Sequence, residues 1–318
     1  MTLSEHSPGS TRGPDILSRA EEKHAARALS PAVAWPTLAM AVALPVAHWT
    51  IVGLGLARVL PLWACLATLT FTAYAHYTLV HEAIHGNLVP GHPRLRWLNP
   101  LVGWLGALAL GYNWPSLLRT HVLHHAHTNS EEDPDAQLKG SLAALVLKWW
   151  VGVVCVATIP PILLKRISPG LYQKLAGNLV GSEVWQASGV AAATLALLAA
   201  AMATGRTLDW LCLLFIPTRL ASLILNIFFS WLPHHPFDQT QRYRNTRVSL
   251  WPGGGVLLLQ QNLHLIHHLW PGIPFYNYGQ LYRRLRSKLI AEGAPIQGLL
   301  VGRHARDLSR QEAGLPNI

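Results

Sequence analysis

The sequence predicts an all-α integral membrane protein with four transmembrane helices arranged as two hairpins. Three observations carry that prediction. The chain of 318 residues is 51% hydrophobic and only 13% charged, too apolar for an ordinary soluble domain of its length. Four long apolar runs have the length of a bilayer crossing. Histidines gather in clusters at helical spacing, all on one side of the topology those runs define.

Residues 1–30 read as a polar N-terminal arm, ending in a short helix over Ile16–Ala28, with no signal-peptide pattern. Trp35–Leu56 is the first span, with Pro36 at its start and Pro45 as a kink. After a tight break at Ala57–Pro61, Leu62–Val80 forms the second span and runs directly into His81-Glu82-Ala83-Ile84-His85. Asn87–Arg96 is a loop. Trp97–Trp114 is apolar but short and interrupted, the pattern of an interfacial or re-entrant helix. A helix carries His121–His127, and Asn129–Asp135 is a polar loop. Ser141–Leu164 is apolar around Lys148 and reads as a surface or partly inserted segment, and Lys165–Glu183 is polar. Gln186–Thr204 is the third span, Gly205–Leu208 a turn, and Asp209–Pro233 the fourth span, ending in His234-His235. The chain then stays outside the membrane except for a short apolar dip at Gly253–Leu259. The organisation expected is an arm at 1–30, a membrane domain at 31–290 and a tail at 291–318.

The net charge of +10 does not form one basic patch of the kind nucleic acid selects; it follows the topology. Arg58 and Arg206 lie on one side, Arg219 lies within the fourth span, and the other lysines and arginines lie on the opposite side. The basic side is cytoplasmic by the positive-inside rule, which places both termini in the cytoplasm of a bacterial inner or equivalent membrane. Every histidine cluster falls on that side. Arg219 reads equally as a contact in a substrate tunnel or as a residue that fixes the bundle. Cys65, Cys155 and Cys212 lie in apolar runs and read as small buried hydrophobes.

His264, His267 and His268 have spacing i, i+3, i+4, as do His121, His124 and His125, and His81 and His85 are four apart. A lone histidine is usually a core or surface residue. Eight on three segments, each set facing one way, exceed what one zinc ion takes and suit two metals. No cysteine lies near them, and iron accepts imidazole well. Two irons with open positions can activate dioxygen and attack an unactivated C–H bond of a lipid entering from the bilayer. No catalytic residue is expected beyond the metal ligands. Glu82, Asp133, Asp135 and Asn262 are candidates to support the ligands, and His127 to stand near Asp133 or Asp135. A cap at Pro134 would equally explain the two aspartates. His48 and His76 read as structural core residues, and His6, His24, His92 and His304 as solvated.

These clusters resemble the histidine boxes of the membrane fatty acid desaturase superfamily. Within it, Trp231-Leu232-Pro233-His234-His235-Pro236-Phe237, Arg244–Val248, and Gln261 through Trp270-Pro271-Gly272-Ile273-Pro274-Phe275-Tyr276-Asn277-Tyr278 are most similar to the cyanobacterial-type β-carotene hydroxylases. The resemblance runs from about residue 76 to 280. It implies a non-haem diiron oxygenase with four membrane helices and a cytosolic helical cap. It also implies His81, His85, His121, His124, His125, His264, His267 and His268 as ligands, with His234 as an additional one. Two positions depart from the branch: Ser230 stands where an acidic residue is frequent, and His235 where arginine is common.

Three functions compete. The first is carotenoid ring hydroxylation. The second is fatty acyl desaturation by the same irons. The third is a non-catalytic membrane metal-binding or transport protein, which would place more polar residues along the spans than His48, Arg219 and Asn226. No haem or flavin motif is present in the tails, so electrons are expected from a separate donor such as ferredoxin, drawn to the basic face that includes Arg283, Arg284 and Arg286.

Overall fold

A computed structural model describes residues 16–152 and 158–298. Cys155, His6, His304 and most of the expected tail lie outside them. The described chain is predominantly helical, with one short parallel pairing, Val248–Ser249 (β1) with Ile296–Gln297 (β2), as its departure from an all-α expectation.

Among the described residues, three helices are long and apolar enough to cross a membrane: Trp35–Leu56 (α2), Ser182–Ala203 (α9) and Thr207–His234 (α10). Leu62–Ile84 (α3) is not among them, although it was expected to span through Val80. Its second half carries Thr72, His76, Thr78, His81 and Glu82, and nearly every residue there is buried by protein on all sides. A helix at the centre of a bundle need not be apolar, because its neighbours, and not lipid, meet its side chains. α3 packs against α2, against Leu98–Ala109 (α4) and against α10.

Small residues allow the closest approaches. Gly106 of α4 lies against α3, where a β-carbon would stand 2.8 Å from Val80 and 3.0 Å from the His76 carbonyl oxygen. Gly103 makes room for Trp114, the first residue of Trp114–His127 (α5); a β-carbon there would stand 2.3 Å from the indole. Asn113 caps α5, its side chain accepting from Ser116 N at 2.9 Å.

α10 is not a uniform helix. It widens into π-turns at Leu211–Phe215 and Asn226–Trp231. Each π-turn contains the residue four before a proline, Pro217 or Pro233, whose missing N–H leaves that residue's carbonyl without its helical partner. Buried Arg219 faces the rings of Tyr112 (5.7 Å) and Phe215 (5.2 Å), and its Nε donates to Thr218 Oγ1, a setting that ties α10 to the α4–α5 connection. At the other end of the bundle, Asp209 accepts two hydrogen bonds from Arg58, at 2.6 and 3.1 Å, and one from Arg206 at 2.9 Å. This joins the turn after α2 to the start of α10. Leu142–Trp149 (α6) is too short to cross, as are Pro161–Ile167 (α7), Pro169–Ala176 (α8) and Gly254–Leu257 (α11), and Lys148 turns back to donate to the carbonyls of Gln137 and Lys139. Cys65 is buried and Cys212 only half-buried.

A second core lies outside the apolar helices. It joins Arg19–Arg27 (α1), the third box on His264–Leu269 (α12) and Tyr278–Ala291 (α13) through Leu29, Leu265, Ile266, Leu269, Leu281 and Leu285. The expected short helix of the arm forms as α1. Its Glu22 is fully buried and accepts from Trp270 Nε1 at 2.6 Å, Tyr243 Oη at 2.7 Å and Arg242 Nη2 at 3.4 Å. The N-terminal segment therefore clamps the chain immediately after the third box.

Gly103→Ala should force Trp114 aside and lower the apparent melting temperature in detergent by several degrees, equivalent to roughly 1–3 kcal/mol for overpacking. Gly53→Ala, where a β-carbon meets nothing within 4 Å, should not lower it.

Candidate metal centre

Four segments deliver the histidines. His81 lies in the last turn of α3, and His85 caps that helix. α5 supplies His121, His124 and His125, α10 ends in His234, and α12 supplies His264, His267 and His268. Their ring nitrogens fall into two groups of four: His81, His85, His121 and His267, and His124, His234, His264 and His268. His125 joins a third set with His267 and His268, between the other two. Within each set the ligand atoms lie within 4.8 Å of one another.

The triplet spacing works differently from a simple convergence on one point. On a helix, i+3 and i+4 fall on opposite sides of i and fan over roughly 100°. His121 and His124 accordingly serve different groups, and His267 is separated from His264 and His268. One helical triplet bridges two positions.

Nε2 atoms face one another at 3.0 Å (His81–His267), 2.9 Å (His85–His121), 3.1 Å (His121–His125), 2.7 Å (His125–His267), 3.1 Å (His234–His264) and 3.2 Å (His264–His268). Where both nitrogens of such a pair are bare, their lone pairs repel unless a cation lies between them. Imidazoles bound at about 2.0–2.1 Å and roughly at right angles would stand about 3 Å apart, so the spacing fits a nitrogen ligand shell. The donor set is neutral nitrogen throughout, which iron, copper and zinc all accept.

Electrostatics favour the unprotonated state. Burial, aided by neighbouring imidazoles, holds His125 down to about 2 and His264 to about 3; burial alone holds His85 to about 4. His121, His267 and His268 are pushed far below the ordinary range for the same reasons. His124 is the exception: burial lowers its pKa, but the Asp133 hydrogen bond and the charges of Asp135 and Asp133 more than offset that and raise it. Four Nδ1 atoms meet partners, while those of His81 and His264 are buried without one. His124 Nδ1 lies 2.9 Å from Asp133 Oδ1, His234 Nδ1 3.1 Å from Asn129 Oδ1, His267 Nδ1 3.0 Å from Tyr278 Oη, and His268 Nδ1 3.4 Å from Thr128 Oγ1.

Of the expected supporting residues, Asp133 touches a histidine of the centre directly. It also caps the loop, accepting from Asp135 N and Asn129 N. Asp135 stands 3.9 Å from His124 and is bonded by Ser230. Three expectations need correction. Glu82 accepts from Thr37, Asn87 and Phe275 N and braces the chain after the third box, because its side chain leaves α3 on the flank away from the rings. His127, two residues past His125 and so turned off that face, lies near exposed Glu132 and not near Asp133 or Asp135. Asn262 donates to Ser249 O and so pins the 3₁₀ turn before α12. His235 lies against the Trp231 ring, tilted to it with centroids 4.5 Å apart, beside the loop that follows. His76 and His48 both bond Thr72, well down α3 from the centre, as core residues. Sequence reasoning missed Thr128, Asn129 and Tyr278. The first two directly follow the second box, which was the available signal; Tyr278 had none beyond its place in the last motif.

The Fatty acid desaturase family model matches residues 57–299, three-quarters of the chain. The chain belongs to the fatty acid desaturase family. Two curated proteins are similar to this family member. Beta-carotene ketolase from Paracoccus sp. (strain PC1) is 27% identical over 225 residues, covering 67% of this chain and 75% of the relative. Beta-carotene ketolase from Paracoccus sp. (strain N81106 / MBIC 01143) is 27% identical over 219 residues, covering 65% and 74%. Both relatives are carotenoid-modifying, as the tail motifs imply, but they carry the name ketolase and not hydroxylase.

Metal-stripped protein should lose stability as pH falls below about 6.5. There the unfolded chain takes up protons while folded His85 and His264 resist down to about 4 and about 3. Melting in detergent from about pH 8 to about pH 5 should show little change at first and a decline that sets in at about pH 6.5, with His124 offsetting part of it; a flat profile would show that the imidazoles are not held neutral.

Proposed function

We propose that this chain is a membrane diiron oxygenase that inserts oxygen into a ring of a carotenoid, with hydroxylation as its first product. The observation that carries the reading is the pair of four-imidazole groups in a desaturase-family chain whose curated relatives act on β-carotene. The ligands would be His81, His85, His121 and His267 at one position and His124, His234, His264 and His268 at the other, with His125 between them. Bound iron would supply dioxygen activation and hydrogen removal from an unactivated C–H bond.

The chain's own residues supply the setting. Neutral imidazoles bring no negative charge to the metals, and burial excludes water from the reaction. Asp133 and Tyr278 hold the outer nitrogens of His124 and His267. Beside His81, the rings of Tyr77, Phe229 and Tyr74 form a continuous aromatic wall, with centroids 5.5–6.0 Å apart. Such a wall suits an apolar ring arriving from the bilayer. In this reading α3 is the fourth span, α2 with α3 and α9 with α10 are the hairpins, both termini are cytoplasmic, and residues 31–290 form the catalytic unit.

The relatives' name favours a second reading, ketolation. A second oxidation at the same carbon, followed by loss of water, converts the alcohol to a ketone, so the two outcomes differ by how long the product stays. Expression in a β-carotene-producing bacterial host separates them by mass. A hydroxyl adds one oxygen; a ketone adds one oxygen and removes two hydrogens. Unchanged pigments with new double bonds in host fatty acids would replace the proposal by acyl desaturation.

His264→Ala should abolish product and lower bound iron while the protein still inserts; full activity would refute the metal assignment. Arg283 and Arg284 are exposed on α13 and would meet an acidic electron donor such as ferredoxin. Reversing both to glutamate should slow turnover severalfold at low salt with iron content intact, and an unchanged rate would remove that role.

A further inference from the structure

We propose that Asn129 is a positioning residue that fixes the tautomer of His234 and thereby aims its Nε2 lone pair into the second metal position. The proposal rests on the metal reading above and deepens it.

Asn129 follows α5 in the left-handed conformation, φ 63°. Its backbone N–H donates to Asp133 Oδ2 at 2.7 Å. Its side-chain Nδ2 donates to two carbonyls, Gln239 O at 2.7 Å and Asn245 O at 2.6 Å, which uses both amide hydrogens. The amide cannot turn round, because its oxygen would then face two carbonyl oxygens. Oδ1 must therefore point the other way, where it lies 3.1 Å from His234 Nδ1. An amide oxygen only accepts, so Nδ1 carries the hydrogen. A neutral imidazole has one ring hydrogen, which leaves Nε2 bare toward His264 Nε2, 3.1 Å away. The opposite amide orientation would favour a hydrogen on Nε2 and close the position to a metal.

The same loop treats two further members of that group alike. Thr128 donates its hydroxyl hydrogen to His124 O at 2.8 Å, which leaves the oxygen to accept from His268 Nδ1. Asp133 accepts from His124 Nδ1. Residues 128–133 thus orient three of the four histidines of the second position. His234 is the one among the three that belongs to neither the second nor the third box, so Asn129 also joins the end of α10 to the end of α5.

Cobalt(II) titration of the purified full-length protein in detergent tests this, read by absorption spectrum and by metal retained per chain. Wild type should hold about two ions. Asn129→Gly keeps the left-handed backbone but removes the acceptor; it should weaken the second position roughly 10- to 100-fold and retain about one ion. Asn129→Asp tolerates the same backbone and keeps an acceptor toward His234, though its other oxygen then faces the Gln239 and Asn245 carbonyls; it should hold the second ion more tightly than Asn129→Gly. Two ions bound by Asn129→Gly at wild-type affinity would overturn the proposal and leave the metal reading intact. Equal loss in both variants would overturn it in favour of a mere tether to residues 239–245. No cobalt bound by the wild type would overturn the metal reading together with it.

Discussion

Lone pairs turned toward one another in a dry interior are the constraint on which this architecture depends. Nine imidazoles present nitrogen to shared positions, and wherever two of those nitrogens are both bare their contact is repulsive without a cation. Holding the arrangement takes rigid helices on the inside and proton acceptors on the outside. Both are present. α3 and α5 are fixed by glycine-mediated contacts and by the Trp114 wedge, α10 by its arginine between aromatic rings, and α12 by a separate apolar core. Four of the outward nitrogens, those of His124, His234, His267 and His268, meet a carboxylate, an amide oxygen, a phenol and a threonine hydroxyl.

Much of this was legible in the sequence. The three histidine boxes announce themselves through spacing, because helical periodicity converts sequence position into direction. The turn at Ala57–Pro61 and the ends of α2 and α9 follow from apolar runs meeting proline, glycine and arginine. The partition of the boxes was not legible. Whether a triplet converges or bridges depends on where the opposing helices stand, and spacing within one helix is blind to that. α3 shows a related limit: a segment that reads as a span by continuity is enriched in polar groups because other helices, and not lipid, surround it.

The supporting residues were the least legible. Glu82 adjoins His81, but neighbours along a helix point about 100° apart, and Asn262 lies two residues before His264 in the preceding turn; both reach other partners. Asn129 and Tyr278 come from outside the boxes and meet histidines of α10 and α12. Acceptors for a histidine's outer nitrogen come from whatever segment packs there, and a single chain read alone carries no sign of that packing.

The division of the boxes has a consequence for how the protein is made. The first group needs His267 from the third box, and the second needs His264 and His268. Neither position is complete until the ribosome has passed residue 268, with most of the chain already inserted. Before then, no nascent stretch holds more than a partial set of ligands for either position. The α1 helix, synthesised among the earliest residues, must wait for Trp270 before Glu22 acquires that partner. The histidine cluster and the clasp beside it are therefore completed together, late in synthesis.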